Sequence, residues 1–441
     1  MASASAASAQ AHPRRARLVH PGMKIPFVLL ILCFAAWGSA ANLTDVLVSV
    51  FRGIFDMSNF QSSLVQFAYY GAYFSLAIPA ALINRRYGYK TGVLTGLGLA
   101  AVGGVLFLPA SEVLAYGFFL VALFVLAAGL SILETSANPF VIAMGPEESA
   151  TQRLNLAQAF NPVGANIGVL LGAVLILPNI TPEASKTIMN SDELRRSQET
   201  DLDLVLGPYL GISLVLILIW VLIATRRMAA PAEHREEDDG VRTGVFGRLW
   251  RNRHYRYGVA AQFFNVGAQV CTWTFTIQYA QDVVGIPTED SGWYLQASLL
   301  VFLVARFLMT YLLGKFRPTR LLLIMGSLGV GLAVVAIFFQ SIVGLIAVVA
   351  ISFSLSLMFP TIYGVALQGL RDDTKFGAAG LVMAILGGAL LTPAHGLVMD
   401  AVGTAEAFVV PAFALAMVTA YALFDLRANP RGGPLVAEGA H

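Results

Sequence analysis

Charge is scarce in this chain. Lys, Arg, Asp and Glu supply 12% of its 441 residues against 57% hydrophobic residues, a balance too apolar for a soluble globular protein of this length. The 28 basic and 26 acidic residues nearly cancel. Because the basic ones are dispersed rather than gathered on one face, no nucleic-acid partner is expected. Cysteine is nearly absent too: Cys33 and Cys271 are the whole complement, and each falls inside a long apolar run, which excludes a disulfide framework and a cysteine metal site. The chain has no HExxH, no GxSxG and no paired histidine ligands, so a membrane enzyme is not indicated, and without a GxxxxGK(S/T) phosphate loop neither is an ATP-driven pump. No metal and no organic cofactor are expected.

What the chain does have is length of apolar sequence. Runs of about 20 residues, enough to cross a bilayer, recur at roughly 27–51, 62–84, 91–110, 114–144, 154–178, 204–225, 257–284, 293–314, 320–340, 342–367, 377–399 and 405–425. Mean hydropathy is +0.71. The expectation is an all-α membrane protein of about twelve spanning helices, with the lipid bilayer as its surroundings. Pro79, Pro139, Pro162, Pro360 and Pro393 interrupt runs, as membrane helices tolerate. Arg14, Arg15, Arg17 and Lys24 precede the first run, Arg85, Arg86 and Lys90 follow the second, and Lys315, Arg317 and Arg320 follow the eighth. By the positive-inside rule both termini are then cytoplasmic. The first 26 residues are acid-free and Ala/Ser-rich, and WGSAAN near residue 40 imitates a signal-peptidase site. The first run is longer than a signal h-region, however, so a cytoplasmic tail is expected rather than cleavage.

Internal repetition gives the architecture. ANPF ending at Phe140 and MFPTIYG around Pro360 are each followed by a glycine, an acidic pair and a basic residue: Gly145, Glu147, Glu148 and Arg153, then Gly369, Asp372, Asp373 and Lys375. NRRYGYK after the second run parallels GKFRPTR after the eighth, at a similar offset. Two six-helix bundles follow, at 27–226 and 255–427. A cytoplasmic linker at 227–254 joins them, and tails at 1–26 and 428–441 flank them.

Two acids lie inside apolar runs, Asp45 and Glu134. An ionised group there is costly, so an intramembrane carboxylate is a functional-site hypothesis, and these two are the candidate proton carriers. Amides share helical faces with them or with one another: Asn42 with Asp45, Asn138 with Glu134, Gln158 with Asn161, and a stripe of Gln262, Asn265, Gln269 and Trp273. Amides match hydroxyls that both donate and accept, and an aromatic ring covers the C–H face of a pyranose, so the candidate ligand is a neutral sugar. For any single amide the alternative is interhelical hydrogen bonding, about 0.6 to 2 kcal/mol each. Gly164, Gly168 and Gly172 read as a close-packing ladder. His395 reads as a satisfied polar contact, and Arg306 as a snorkelling side chain or a carboxylate's partner.

The runs NLTDVL, LETSANPFV, RLNLAQAFNPVGA, AQFFNVGAQ with Trp273, FPTIYG and DDTKFG, in this order from about residue 25 to 425, resemble the L-fucose/proton symporters, the fucose–galactose–glucose branch of the major facilitator superfamily. The resemblance implies the major facilitator superfamily fold, a single monomeric transporter in a bacterial inner membrane, alternating access, and a proton carried with each sugar. It implies proton coupling at Asp45 and at Glu134, with Glu134, Gln158 and Asn161 contacting the sugar. The chain departs from the family pattern at Asn265, where the resemblance implies a tyrosine, and at Asn166 and His395, where it implies apolar residues. Those departures leave open galactose, glucose, mannose or an N-acetylhexosamine beside L-fucose, and a proton-independent facilitator remains the rival mechanism.

Overall fold

The computed structural model describes residues 18–55, 59–113, 116–171, 179, 181, 185, 189–226, 228 and 244–429, with the side chains of 44–55, 59–67, 111–113, 169, 205 and 288–289 outside the description. Every regular element among the described residues is helical. The first half comprises α1 (Lys24–Phe55), α2 (Asn59–Tyr87), α3 (Tyr89–Val105), α4 (Phe107–Val113), α5 (Tyr116–Ala143), α6 (Ala150–Gln158), α7 (Phe160–Leu171) and α8 (Ser191–Thr225). A short α9 (Val245–Arg251) lies in the linker. The second half comprises α10 (Arg253–Gln278), α11 (Thr288–Leu313), α12 (Pro318–Phe338), α13 (Ile342–Leu355), α14 (Met358–Ala366), α15 (Thr374–Met383), α16 (Leu386–Val402) and α17 (Val409–Ala428). Among the described residues, nine helices are long and apolar enough to cross a membrane. Each of the twelve apolar runs is mainly helical where it is described, with short breaks inside several.

Two of the helix breaks have a covalent cause. A proline lacks an N–H and crowds the carbonyl four residues earlier, which for Pro162 is that of Gln158 and for Pro360 that of Ser356. The chain breaks there, between α6 and α7 and between α13 and α14. The repeat read from the sequence is also structural. Glu147–Ser149 and Arg371–Asp373 each form a 3-10 turn that leads directly into a helix, α6 and α15 respectively.

Each half has its own core, and the first reaches into the second half through Tyr255, Tyr363, Phe376 and Leu381. The glycine ladder packs as expected. A Cβ on Gly164 or Gly168 would overlap the carbonyl of Ala35 or Ser39, and one on Gly38 would overlap that of Asn161, so α1 and α7 touch backbone to backbone. Gly172 lies outside the described residues. At the end of α5, Arg153 is wholly buried and donates to the carbonyls of Val141 (2.7 Å), Leu18 (2.8 Å), Pro146 (3.2 Å), Gly145 (3.1 Å) and Ile142 and to Ser149 Oγ (2.9 Å). One guanidinium thus gathers the carbonyls at the end of α5 and pins the segment before α1 to the loop after α5.

The halves interlock at the end that carries the basic loops. Asn155 Nδ2 donates to Thr361 Oγ1 (3.2 Å), Gln152 Nε2 to the Thr310 carbonyl (3.4 Å), and Lys375 sits 5.7 Å from the Tyr89 ring centroid. The α6–α7 pair runs antiparallel to α11: beyond Gln152 and Thr310, Phe160 meets Phe307 edge-on, and Gln296 donates to Asn166 (3.4 Å). Asn166 is therefore a bridge between the halves.

If α1 and α7 depend on glycine for their approach, Gly164→Leu lowers stability by about 3 kcal/mol or more. Gly71→Ala, where an added Cβ meets nothing within 4 Å, changes it by about 1 kcal/mol or less. Melting midpoints of the purified protein in detergent measure both; equal midpoints would contradict the packing account.

Candidate functional site

Glu134 points from α5 into the interior at 1% exposure, and neither of its carboxylate oxygens has a hydrogen-bond partner among the described residues. One turn further on the same face, Asn138 accepts from Gln158 Nε2 at 2.7 Å, so the amide beside the acid is joined to the α6–α7 break. Asn138 Nδ2 has no well-formed hydrogen bond among the described residues but lies close to both Glu134 and Tyr363. Two tyrosines, Tyr73 of α2 and Tyr363 of α14, lie near enough to feel the charge of Glu134. Tyr73 accepts from Trp37 Nε1 (2.8 Å) and from the Tyr69 hydroxyl (3.4 Å), and Ser131 Oγ donates to its carbonyl (3.1 Å). The Tyr363 hydroxyl is buried near the Asn138 amide, with no well-formed hydrogen bond among the described residues.

Two of the amides predicted to contact ligand are held by backbone. Asn42 Nδ2 donates to the Gly38 carbonyl within α1 (3.1 Å), and Asn161 Nδ2 donates to Phe34 of α1 (3.4 Å); both side chains remain half-buried, and each carbonyl oxygen is left as an acceptor. Asp45 follows Asn42 on α1 at a spacing of three, and its side chain lies outside the described residues.

The second half carries a polar set of its own. Gln262 and Asn265 of α10 are wholly buried, and none of their four amide atoms has a partner among the described residues. Gln269 and Trp273 continue the stripe half-buried. Trp273 donates to Ser352 Oγ at 3.1 Å and meets Phe302 edge-on at 5.1 Å. The other partner of Phe302 is Arg306, whose guanidinium carbon lies 4.8 Å from the ring centroid. Arg306 does not snorkel and makes no ion pair with a carboxylate among the described residues, in contrast to the sequence expectation: it is 5% exposed, and Nε and Nη1 have no partner among them. The pairs Gln152–Thr310 and Asn166–Gln296 bracket it on the antiparallel register of α11, level with Gln158 and Asn161. His395 departs from expectation in the same way. It is buried flat against Phe275 at 4.3 Å, and both ring nitrogens lack partners among the described residues.

A buried polar atom with no partner costs about 1 to 3 kcal/mol, more when charged. A set of such atoms spread over both halves is therefore a candidate place for a polar ligand. Here the first half offers a carboxylate, amides and tyrosines, and the second offers amides and a guanidinium beside an aromatic pair. The chemistry suits a small polyhydroxylated molecule: the amides and hydroxyls both donate and accept, the carboxylate accepts, the guanidinium donates, and the aromatic rings supply an apolar wall. No cluster of metal-ligating side chains occurs among the described residues. Sequence reasoning missed Trp37, Tyr73 and Tyr363 as site residues. QFAYYGAYF carries no polar periodicity that would single out Tyr73, and Tyr363 sat in a segment read only as a repeat.

Residues 28–385 match the Major Facilitator Superfamily. The chain is 38% identical over 408 residues to the L-fucose-proton symporter of Escherichia coli (strain K12), covering 91% of this chain and 93% of that protein. It is 32% identical to a glucose/galactose transporter of Brucella abortus biovar 1 (strain 9-941), covering 89% and 92%. Among solved structures, that of the transporter FucP in the outward conformation superposes with a TM-score of 0.86 at 38% identity, covering 91% of this chain and 98% of the other. A proton:xylose symporter, XylE, shares the fold with a TM-score of 0.71 at 13% identity, covering 93% and 97%. The chain belongs to the Major Facilitator Superfamily, in the family that holds the L-fucose-proton symporters.

Proposed function

We propose that this chain is a secondary transporter that moves L-fucose, or a closely related neutral monosaccharide, together with a proton by alternating access. The observation that carries this reading is the buried, unpartnered carboxylate of Glu134, set among sugar-compatible side chains in a chain 38% identical to an L-fucose-proton symporter. A facilitator that carries no proton gains nothing from a carboxylate at this depth.

The proposed cycle begins in the conformation described above. The basic loops lie on the cytoplasmic side under the positive-inside rule, which places both termini there, in a bacterial inner membrane. The interlock of Asn155 with Thr361 and Gln152 with Thr310 then closes the cytoplasmic end, consistent with the likeness to an outward conformation. The two bundles at 27–226 and 255–427 rock about the site. Protonation of Asp45 and Glu134 removes the penalty for enclosing them. The sugar contacts Glu134, Asn138, Gln158, Asn161 and Asn42 from the first half, and Gln262, Asn265, Gln269, Trp273 and Arg306 from the second. Filling both surfaces at once favours the occluded state over either open one, which is how a ligand shifts a population.

A second reading of the substrate has an observation behind it. L-fucose lacks a hydroxyl at C6, and Asn265 offers a donor and an acceptor that no described residue uses. A hexose that keeps its C6 hydroxyl, such as galactose or glucose, would occupy them.

Uptake into proteoliposomes tests the function. An inward proton gradient is expected to drive L-fucose accumulation in the wild type, and Asp45→Asn or Glu134→Gln to abolish accumulation while sugar exchange survives. Accumulation indifferent to the gradient would establish a facilitator. Since protonation precedes closure, wild-type uptake rises as external pH falls, and the Glu134→Gln exchange rate loses most of that dependence; an unchanged pH profile would remove Glu134 from the coupling. For the second half, Arg306→Gln raises the apparent KM about tenfold or more, the scale of one hydrogen bond to a charged group, with Arg306→Lys recovering part of it. An unchanged KM would place Arg306 outside the sugar contacts. Asn265→Tyr is expected to weaken competition by galactose and glucose against L-fucose, and unchanged competition would exclude Asn265 from selecting at C6.

A further inference from the structure

At the basic end of the second half, the acids are already engaged. Asp425, buried near the end of α17, accepts from Thr319 Oγ1 at 2.6 Å and lies 3.3 Å from His254 Nδ1 and 3.5 Å from Arg317 Nη2. Asp373 takes both arms of Arg248, at 2.9 and 2.7 Å. Arg251, Arg253, Arg256 and Arg427, which crowd the same edge in sequence and space, make no ion pair with a carboxylate among the described residues. Arg256 instead rests between two rings, 5.4 Å from the Tyr257 centroid and 5.7 Å from that of Trp250.

These cations border an apolar surface. Phe413, Met417, Ala420, Phe424 and Arg427 recur at spacings of three and four on one face of α17, so an outward apolar stripe ends in an arginine. The last turns of that helix present Ala420, Leu423, Phe424, Arg427 and Ala428 along a shallow, open groove of about 430 Å³ on its outer face. Tyr257 meets Phe424 edge-on at 4.9 Å, which ties the groove to the start of α10 and hence to Arg256. Beside it, α9 buries Val245 and Leu249 and turns outward Phe246 (59% exposed) and Trp250 (70% exposed), with Arg251 in its last turn. Exposed aromatics flanked by arginines are the pattern of a helix lying in the membrane interface.

We propose that the edge formed by α9, the start of α10 and the end of α17 binds an anionic diacyl phospholipid, its acyl chain in the α17 groove and its phosphate on Arg256 and Arg427. Guanidinium groups match phosphate oxygens in pairs, and basic pockets between membrane helices hold anionic headgroups. The groove argues for a lipid over a free phosphate ion, because inorganic phosphate has no use for Leu423 and Phe424. The site lies apart from the sugar-facing surfaces, so lipid occupancy and transport are separable.

The test is native mass spectrometry of the purified full-length protein in neutral detergent, offered phosphatidylglycerol or phosphatidylcholine in mixed micelles. The wild type should retain phosphatidylglycerol in preference to phosphatidylcholine, and millimolar inorganic phosphate should not displace it. Arg256→Gln with Arg427→Gln should lower retention about fivefold for each arginine removed. Ala420→Trp, which fills the groove without changing charge, should lower it as well and stands as the deciding variant if the double variant does not fold. Arg195→Gln with Arg196→Gln, the same charge loss in α8, should leave retention unchanged. Equal retention of the two lipids, full retention in Ala420→Trp, displacement by inorganic phosphate, or equal loss in the α8 variant would overturn the proposal.

Discussion

Inside a bilayer, a polar group that the protein leaves unpaired has no water to turn to, and each such group costs several kcal/mol. This constraint sets two groups of buried polar residues apart. Arg153 spends its guanidinium on six acceptors, and Asp425 is held among Thr319, His254 and Arg317; these residues fasten helix ends to one another. Glu134, Gln262, Asn265 and Arg306 leave donors or acceptors unmet among the described residues. On the proposed function, that unmet capacity is what the sugar takes up.

The helix breaks serve the same division. Pro162 ends α6 beside Gln158 and Asn161, and Pro360 separates α13 from α14 before Thr361 and Tyr363. Each break turns amide or hydroxyl groups inward close to where the halves lock, through Asn155 and Thr361. Site and interlock are thus covalently adjacent, so a ligand that rearranges Gln158 or Tyr363 acts on the elements that hold the basic end closed.

Much of this was legible in the sequence because it rests on period and position. Runs of bilayer length, prolines within them, and two copies of a glycine, acidic pair and basic residue predicted the helices and the repeat, and both 3-10 turns lie at the repeated motif. The intramembrane acids stood out because charge is rare there. Other features depend on what lies across space from a residue, which one-dimensional spacing does not encode. The Gln158–Asn138 bond joins residues 20 apart. Tyr73 and Tyr363 reach Glu134 from opposite halves, and a tyrosine in an apolar run reads the same whether it packs or binds. Arg306 was expected to find water or an acid. It found Phe302 instead, because α11 faces α6–α7 at that level rather than lipid.

The account makes the basic-end interlock conditional on the state of the site. Its most direct test is the distance across that end, read by paired spin labels at Tyr87→Cys and Phe316→Cys, exposed positions on the first and second halves, with the buried Cys33 and Cys271 replaced by serine. The account predicts that L-fucose lengthens this distance at low pH, where the intramembrane acids are protonated, and has little effect at high pH. A distance that ignores the sugar at low pH, or that lengthens equally at high pH, would contradict it.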